Sequence, residues 1–152
     1  MLFTARHHCC ESTPSFSVEG IIGAILGSDG LGAWYRDKIE CWIAPFVDKD
    51  GVEAGDQGKN RKPHDHNRDY LGQPSIYPAI GAIREKIPAW SEGKLRVVLD
   101  LHCPWIRGKW HDEIYFVGTQ DQDHWARVTE YCRILERVRT GSLPYYEKDN
   151  LP

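Results

Sequence analysis

The chain has 152 residues, with 19 Lys plus Arg against 22 Asp plus Glu and a formal net charge of −3 at pH 7. Its 41% hydrophobic and 27% charged content excludes a disordered or low-complexity segment, and its length suits a single domain spanning residues 1–152. No basic excess points to nucleic acid or an anionic membrane surface, and the longest apolar stretch, around Gly20–Leu26, is too short to span a bilayer. Five cysteines (Cys9, Cys10, Cys41, Cys103, Cys132) stand in no framework spacing, and no charged-then-apolar leader opens the chain. The expected setting is reducing and cytoplasmic.

Leu2–Ala5 reads as a strand, followed by a polar turn from Arg6 to Ser12. Thr13 is the expected N-cap of a helix with Pro14 in its first position. Phe16, Gly20, Ile21, Ala24 and Ile25 recur at helical spacing, and Gly27 is the expected stop. Ile39–Val47 reads as a buried strand. The polar segment from Asp48 to Pro74 has no apolar period and reads as a long functional loop. Ser75 is positioned to cap a helix over Ile76–Trp90 that buries Ile76, Ile80, Ile83 and Ile87, with Pro88 ending or bending it. Leu95–Leu101 is the best strand pattern, Glu113–Val117 a second short one, and Asp121–Arg139 a helix. Residues 141–152 read as irregular. Strands alternating with helices predict an α/β layered fold.

The residues that carry chemistry sit where strands end. His8-Cys9-Cys10-Glu11 is an H-x-x-E element between a strand and a helix start, and His102 closes the strongest strand. Ligand sites in open α/β sheets gather at the carboxyl ends of strands. Two imidazoles and a carboxylate from such ends make a three-ligand zinc set with a fourth position open, the pattern of catalytic rather than structural sites. The three-residue step to Glu11 selects His8 over His7, and Asp100 shares the side of the strand that carries His102. Cys9 and Cys10 read as spacers within this motif, although their thiols are alternative soft ligands. His64 and His66 flank Asp65 as a conceivable second metal site.

Four motifs in order resemble the zinc carboxypeptidases, the carboxypeptidase A-like (M14) metallopeptidases. Ala5-Arg6-His7-His8-Cys9-Cys10-Glu11-Ser12 resembles the first zinc motif of that family. Pro45-Phe46-Val47-Asp48-Lys49-Asp50-Gly51-Val52-Glu53 resembles its P-x-x-N-P-D-G-V element, Asp65-His66-Asn67-Arg68-Asp69-Tyr70 its D-x-N-R-x-[WFY] element, and Leu99-Asp100-Leu101-His102-Cys103 its second zinc motif. The resemblance implies a three-layer α/β fold with a mostly parallel or mixed twisted sheet flanked by helices. It implies His8, Glu11 and His102 as Zn²⁺ ligands, Asn67 and Arg68 as the clamp on a substrate carboxylate, and Arg61 as the group that polarises the scissile carbonyl. The implied activity is release of a C-terminal residue from a peptide or peptide-like substrate with a free carboxylate, with no role for nucleic acid or membrane.

The chain also departs from the family pattern. A general-base glutamate belongs on a late strand, and Glu113, Glu130, Glu136 and Glu147 lack that context. The expectation is a partial catalytic domain, truncated at both ends and without its base, whose loss removes an assist worth ~10²–10⁴-fold. Two alternatives stand beside the peptidase: a zinc-binding but non-catalytic chain, and an aspartoacylase-like zinc amidohydrolase with a similar ligand set.

Overall fold

A computed structural model describes residues 1–71, 74–103, 105, 107–108 and 110–151. Two compact units divide the chain, Met1–Pro104 and Trp105–Pro152.

In the first unit three strands form one parallel sheet: β1 (Leu2–Ala5), β2 (Trp42–Ala44) and β3 (Val98–Leu101), in the order β2-β1-β3. Leu2, Phe3 and Thr4 of β1 stand opposite Trp42, Ile43 and Ala44 on one side, and Val98, Leu99 and Asp100 on the other. Being central, β1 is buried along its whole length, whereas β3 alternates exposed and half-buried residues. The chain leaves β1 for β2 and then crosses back to the opposite flank for β3. The direction of winding therefore reverses at β1, and the crevice beyond its carboxyl end is where such sheets bind ligands. His7 and His8 follow β1 directly, and His102 follows β3.

The helices agree with the sequence in position more than in their ends. The first helix, α1, is Thr13–Leu26, with Ser12 rather than Thr13 at the N-cap and no side-chain cap bond, because Pro14 already presets the first turn. Its apolar stripe is only partly used: Pro14 and Val18 are buried, while Phe16 is 73% exposed. A second helix, α2 (Gly30–Lys38), was not expected from periodicity; Asp29 caps it by accepting from the Gly32 N–H at 2.9 Å. The polar segment holds α3 (Lys49–Ala54), capped by Asp48, and a 3₁₀ turn at His66–Arg68, capped by Asp65. Helix α4 is Pro78–Ser91 and buries Ile80 and Ile87, with Ile76 outside it. Ser75 does not cap α4; its hydroxyl instead receives Arg84 at 3.0 Å. Pro88 does not end the helix: three more residues, to Ser91, stay helical, and Glu92 closes the helix in a left-handed conformation.

Both long strand expectations shrink: Ile39–Val47 contracts to Trp42–Ala44, and Leu95–Leu101 to Val98–Leu101. Neither strand is longer than the four-residue β1 that it pairs with, since a strand needs a partner more than a pattern.

In the second unit, α5 (Gln122–Val138) is capped by Asp121, whose carboxylate accepts from the His124 N–H. Glu113–Val117 is not a strand. Among the described residues its pairing is a single bridge between Val117 and Leu151, with the Phe116 N–H turned to the Asn150 side chain at 2.8 Å. The end of the chain carries a 3₁₀ turn at Glu147–Asp149. Among the described residues no helix is long and apolar enough to cross a membrane.

Candidate metal centre

The centre begins with a strained turn. Arg6, the first residue beyond β1, has φ of 61°, a conformation disfavoured for a residue with a Cβ. Its guanidinium closes the turn by donating to the Cys9 carbonyl (Nε 2.9 Å) and to Ser15 Oγ (2.9 Å), which offsets the cost. The consequence is divergence of two neighbouring imidazoles. His7 packs inward at 1% exposure, while His8 faces Glu11.

Glu11 is the hub. Its side chain is 1% exposed, yet it is a carboxylate, so it must be compensated. His8 Nδ1 lies 3.0 Å from Oε1, Lys59 Nζ 2.9 Å from the same oxygen, and His102 Nδ1 2.7 Å from Oε2. Both histidines thus present the same ring nitrogen to one carboxylate. Their other nitrogens are backed by acids: His102 Nε2 is 2.7 Å from Asp100 Oδ2, and His8 Nε2 is 3.5 Å from Asp65 Oδ2. Asp100, hydrogen-bonded behind His102, fixes the orientation of that ring and raises its basicity, while Asp65 stands at ion-pair distance behind His8. Asp100 is held in turn by Thr4 Oγ1, which donates to Oδ1 at 2.8 Å.

Burial alone would raise Glu11, but the bonds from His102, His8 and Lys59 outweigh it and hold the carboxyl far below its usual range. Burial would lower His102, but Asp100 and Glu11 outweigh it and raise the imidazole to about 9. Asp100 is likewise depressed against the pull of burial by His102 and His7.

Among the described residues two sets have ligand atoms within 4.8 Å of one another: His8, Glu11 and His102, and His7, Asp100 and His102. The first set fits a divalent ion of the zinc type, with two neutral-capable nitrogens and a carboxylate converging and each imidazole backed. The second is drawn elsewhere. His7 Nε2 is bound to the Tyr70 hydroxyl at 2.6 Å, and His7 Nδ1 sits 2.9 Å from Asp100 Oδ1 without hydrogen-bond alignment. The His7 ring also stacks on His102 at 5.7 Å, and together with Tyr70 it forms a wall behind the first set.

The remaining sequence-chosen residues lie around this set. Arg61 is not in contact with it: Nη2 is 2.8 Å from Asp48 Oδ2 and 3.1 Å from Asp56 Oδ2, and Asp48 is 3% exposed. Gly51 leaves room for this pair, since a Cβ there would push on the Arg61 guanidinium and the Asp48 carboxylate. Asn67 and Arg68 lie on the 3₁₀ turn, where the Asp65 carboxylate accepts from the Arg68 N–H at 3.1 Å. The Arg68 side chain is exposed, and its guanidinium has no ion pair among the described residues. His64 and His66 join neither ligand set. His64 Nε2 is 2.7 Å from Asp69 Oδ1, and His66 is buried in a stack on Tyr77 at 3.7 Å. Cys9 is buried with its thiol donating to the Asp56 carbonyl at 3.0 Å, and burial pushes that thiol up. Cys10 is exposed.

Sequence reasoning missed Lys59, Tyr70 and Thr4, whose contacts depend on tertiary proximity. The place of Asp65 was legible as the acid that opens the D-x-N-R element.

A backed pair of histidines and a buried carboxylate at the carboxyl edge of a parallel sheet make a candidate divalent-metal centre. No family model matches the chain. Among curated proteins it is 31% identical over 87 residues to cytosolic carboxypeptidase 4 of Mus musculus, covering 54% of this chain and 8% of that protein. It is 23% identical over 141 residues to cytosolic carboxypeptidase 6 of Homo sapiens, covering 89% and 27%. It is 23% identical over 150 residues to a "Putative zinc carboxypeptidase" of Plasmodium falciparum (isolate 3D7), covering 95% and 9%. The chain is thus zinc-carboxypeptidase-like, of the M14 type, over most of its length. It spans about a quarter or less of the length of these relatives.

Proposed function

We propose that this chain carries the metal and carboxylate-recognition parts of a cytoplasmic zinc metallocarboxypeptidase. Residues 1–152 would be part of one catalytic domain, with the three-layer arrangement of such enzymes. The carrying observation is the convergence of His8 Nδ1, His102 Nδ1 and the buried Glu11 carboxylate at the switch point of the sheet. A zinc ion held there would supply Lewis acidity toward a scissile carbonyl and toward water, whose pKa it lowers to ~7.

The other steps fall to side chains. His8 and His102 must give up their Nδ1 protons to serve as ligands, while Asp65 and Asp100 keep each ring in place through Nε2. Arg68, with Asn67 beside it, would hold the terminal carboxylate of a peptide, since a planar guanidinium offers two parallel hydrogen bonds and this one is exposed with no ion pair among the described residues. Arg61 would support the developing negative charge on the carbonyl, with its guanidinium orientation governed by Asp48 and Asp56. A chain with this set and no general base would bind zinc without turnover, which is the second reading.

The test is hydrolysis by the zinc-equilibrated chain of peptides with a free or amidated C-terminus, followed by mass spectrometry. Release of one residue from the free peptide only, with KM raised by Arg68→Ala, supports the peptidase. One zinc per chain with neither peptide cleaved supports the non-catalytic reading. Cleavage of N-acyl amino acids but not peptides would favour an amidohydrolase. Absence of zinc from a folded chain overturns all three.

A further inference from the structure

Glu11 holds one cation that can never be a metal ligand while it is charged. The partners of its two oxygens are His8 Nδ1 and Lys59 Nζ on Oε1 and His102 Nδ1 on Oε2. An imidazole that loses its proton turns the same nitrogen toward an ion as a ligand. An ammonium has three donors and no lone pair, so it offers Glu11 charge and nothing to a metal. Lys59 and an incoming cation therefore draw on the same oxygen.

Lys59 is also delivered to this place rather than reaching it by chance. The residue before it, Gly58, is buried with φ of +83°, and a Cβ there would lie 2.8 Å from the Cys9 backbone nitrogen and 2.8 Å from its thiol. The loop backbone is thus pressed against the His8–Glu11 segment. Two residues after Lys59, Arg61 is tied to Asp48 and Asp56. Held between two anchors, the Lys59 side chain is 21% exposed, unlike Lys49 at 64% or Lys94 at 78%.

We propose that Lys59 is a built-in counter-cation of Glu11, which holds the metal-free centre together and which a divalent ion must displace from Oε1. The inference rests on the reading of His8, Glu11 and His102 as the metal site. Lys59 then sets metal affinity in the opposite sense to a supporting residue: its removal strengthens binding. In the metal-free chain it does the reverse, because a buried carboxylate that loses a cationic partner is left less compensated.

The experiment measures zinc affinity by competition with a chromophoric chelator, using the full chain stripped of metal, for wild type, Lys59→Met, Lys59→Gln, Lys59→Arg and His8→Ala. Lys59→Met keeps the stem and removes the charge. Lys59→Gln keeps a donor for Glu11 and serves if the Met variant does not fold. Expected is zinc binding about tenfold tighter in the neutral variants, affinity within about threefold of wild type in Lys59→Arg, and loss of binding in His8→Ala. Melting temperature without zinc should fall in the neutral variants, and the rise on adding zinc should exceed that of wild type. Unchanged or weaker zinc binding in the neutral variants, beside a wild type that binds and a His8→Ala that does not, overturns the role of Lys59 and leaves the metal site standing. Folded wild-type and neutral variants that all fail to bind zinc overturn both.

Discussion

Two buried carboxylates, Glu11 and Asp69, lie in the same unit and are satisfied in opposite ways. Asp69 is 2% exposed and accepts from the backbone N–H groups of Ile76 (3.2 Å) and Tyr77 (3.0 Å), with His64 at 2.7 Å. Tyr77 closes the arrangement by donating its hydroxyl to the His64 carbonyl. Those main-chain partners cannot leave without unfolding the segment. Glu11, equally buried, is held among the described residues by side chains: His8, His102 and Lys59. All three can exchange partners. The contrast separates a carboxylate that fixes a loop from one arranged for ligand exchange, although both are depressed below their ordinary ionisation range.

The largest expected effect is at the fixed carboxylate. Asp69→Ala leaves two backbone N–H groups and His64 without an acceptor and should cost about 3 kcal/mol in urea unfolding. A loss under about 1 kcal/mol would mean that Asp69 does not hold the loop. Next comes the contact that brings the Lys59 loop to the centre. Gly58→Ala combines a left-handed backbone with a collision against the Cys9 backbone, and about 2 kcal/mol of lost stability is expected in urea unfolding of the metal-free chain.

The third prediction is a pH dependence of the metal-free chain. His102 is raised from an ordinary value of 6.5 to about 9 in the folded state. Its contribution is therefore complete below pH ~6.5 and is lost as pH rises through about 9. Wild type should lose about 2 kcal/mol more than His102→Gln between pH 6 and pH 10 by chemical denaturation. Parallel curves would break the proposed charge on the cluster. Glu11 acts at the acid end: its depressed carboxyl stabilises the fold above the ordinary glutamate value of 4.5, and that contribution is lost as pH falls. The smallest stability change is expected at the exchangeable carboxylate itself. Glu11→Gln should cost only about 1 kcal/mol, since its side-chain partners can rearrange, while zinc affinity falls about 100-fold or more.

The central parts of this site were legible in the sequence because they depend on short spacing beside a strand end. The step from His8 to Glu11, and the step from Asp100 to His102, place side chains before any tertiary contact is known. Asp100 does face the His102 ring, as their two-residue spacing at the strand end predicts. The central strand, α1 and α4 were also legible, since apolar runs and Pro14 mark them. Helix α2 was not, because Gly30–Lys38 has no apolar stripe and starts from an aspartate cap rather than a pattern. Nor was the failure of Glu113–Val117 to form a strand, since its pairing among the described residues is the single bridge from Val117 to Leu151. Lys59 and Tyr70 carry no local signal of their roles. Their partners lie 48 and 63 residues away in sequence, at Glu11 and His7.

The most direct test of the metal centre is X-ray absorption at the zinc edge on the loaded chain, beside His8→Ala and His102→Ala. The account predicts a shell of nitrogen and oxygen only, at ~2.0–2.2 Å, containing two imidazoles in wild type and one or none in either variant. A sulfur shell near ~2.3 Å, which would place Cys9 or Cys10 on the metal, or an imidazole count unchanged by both substitutions, would contradict it.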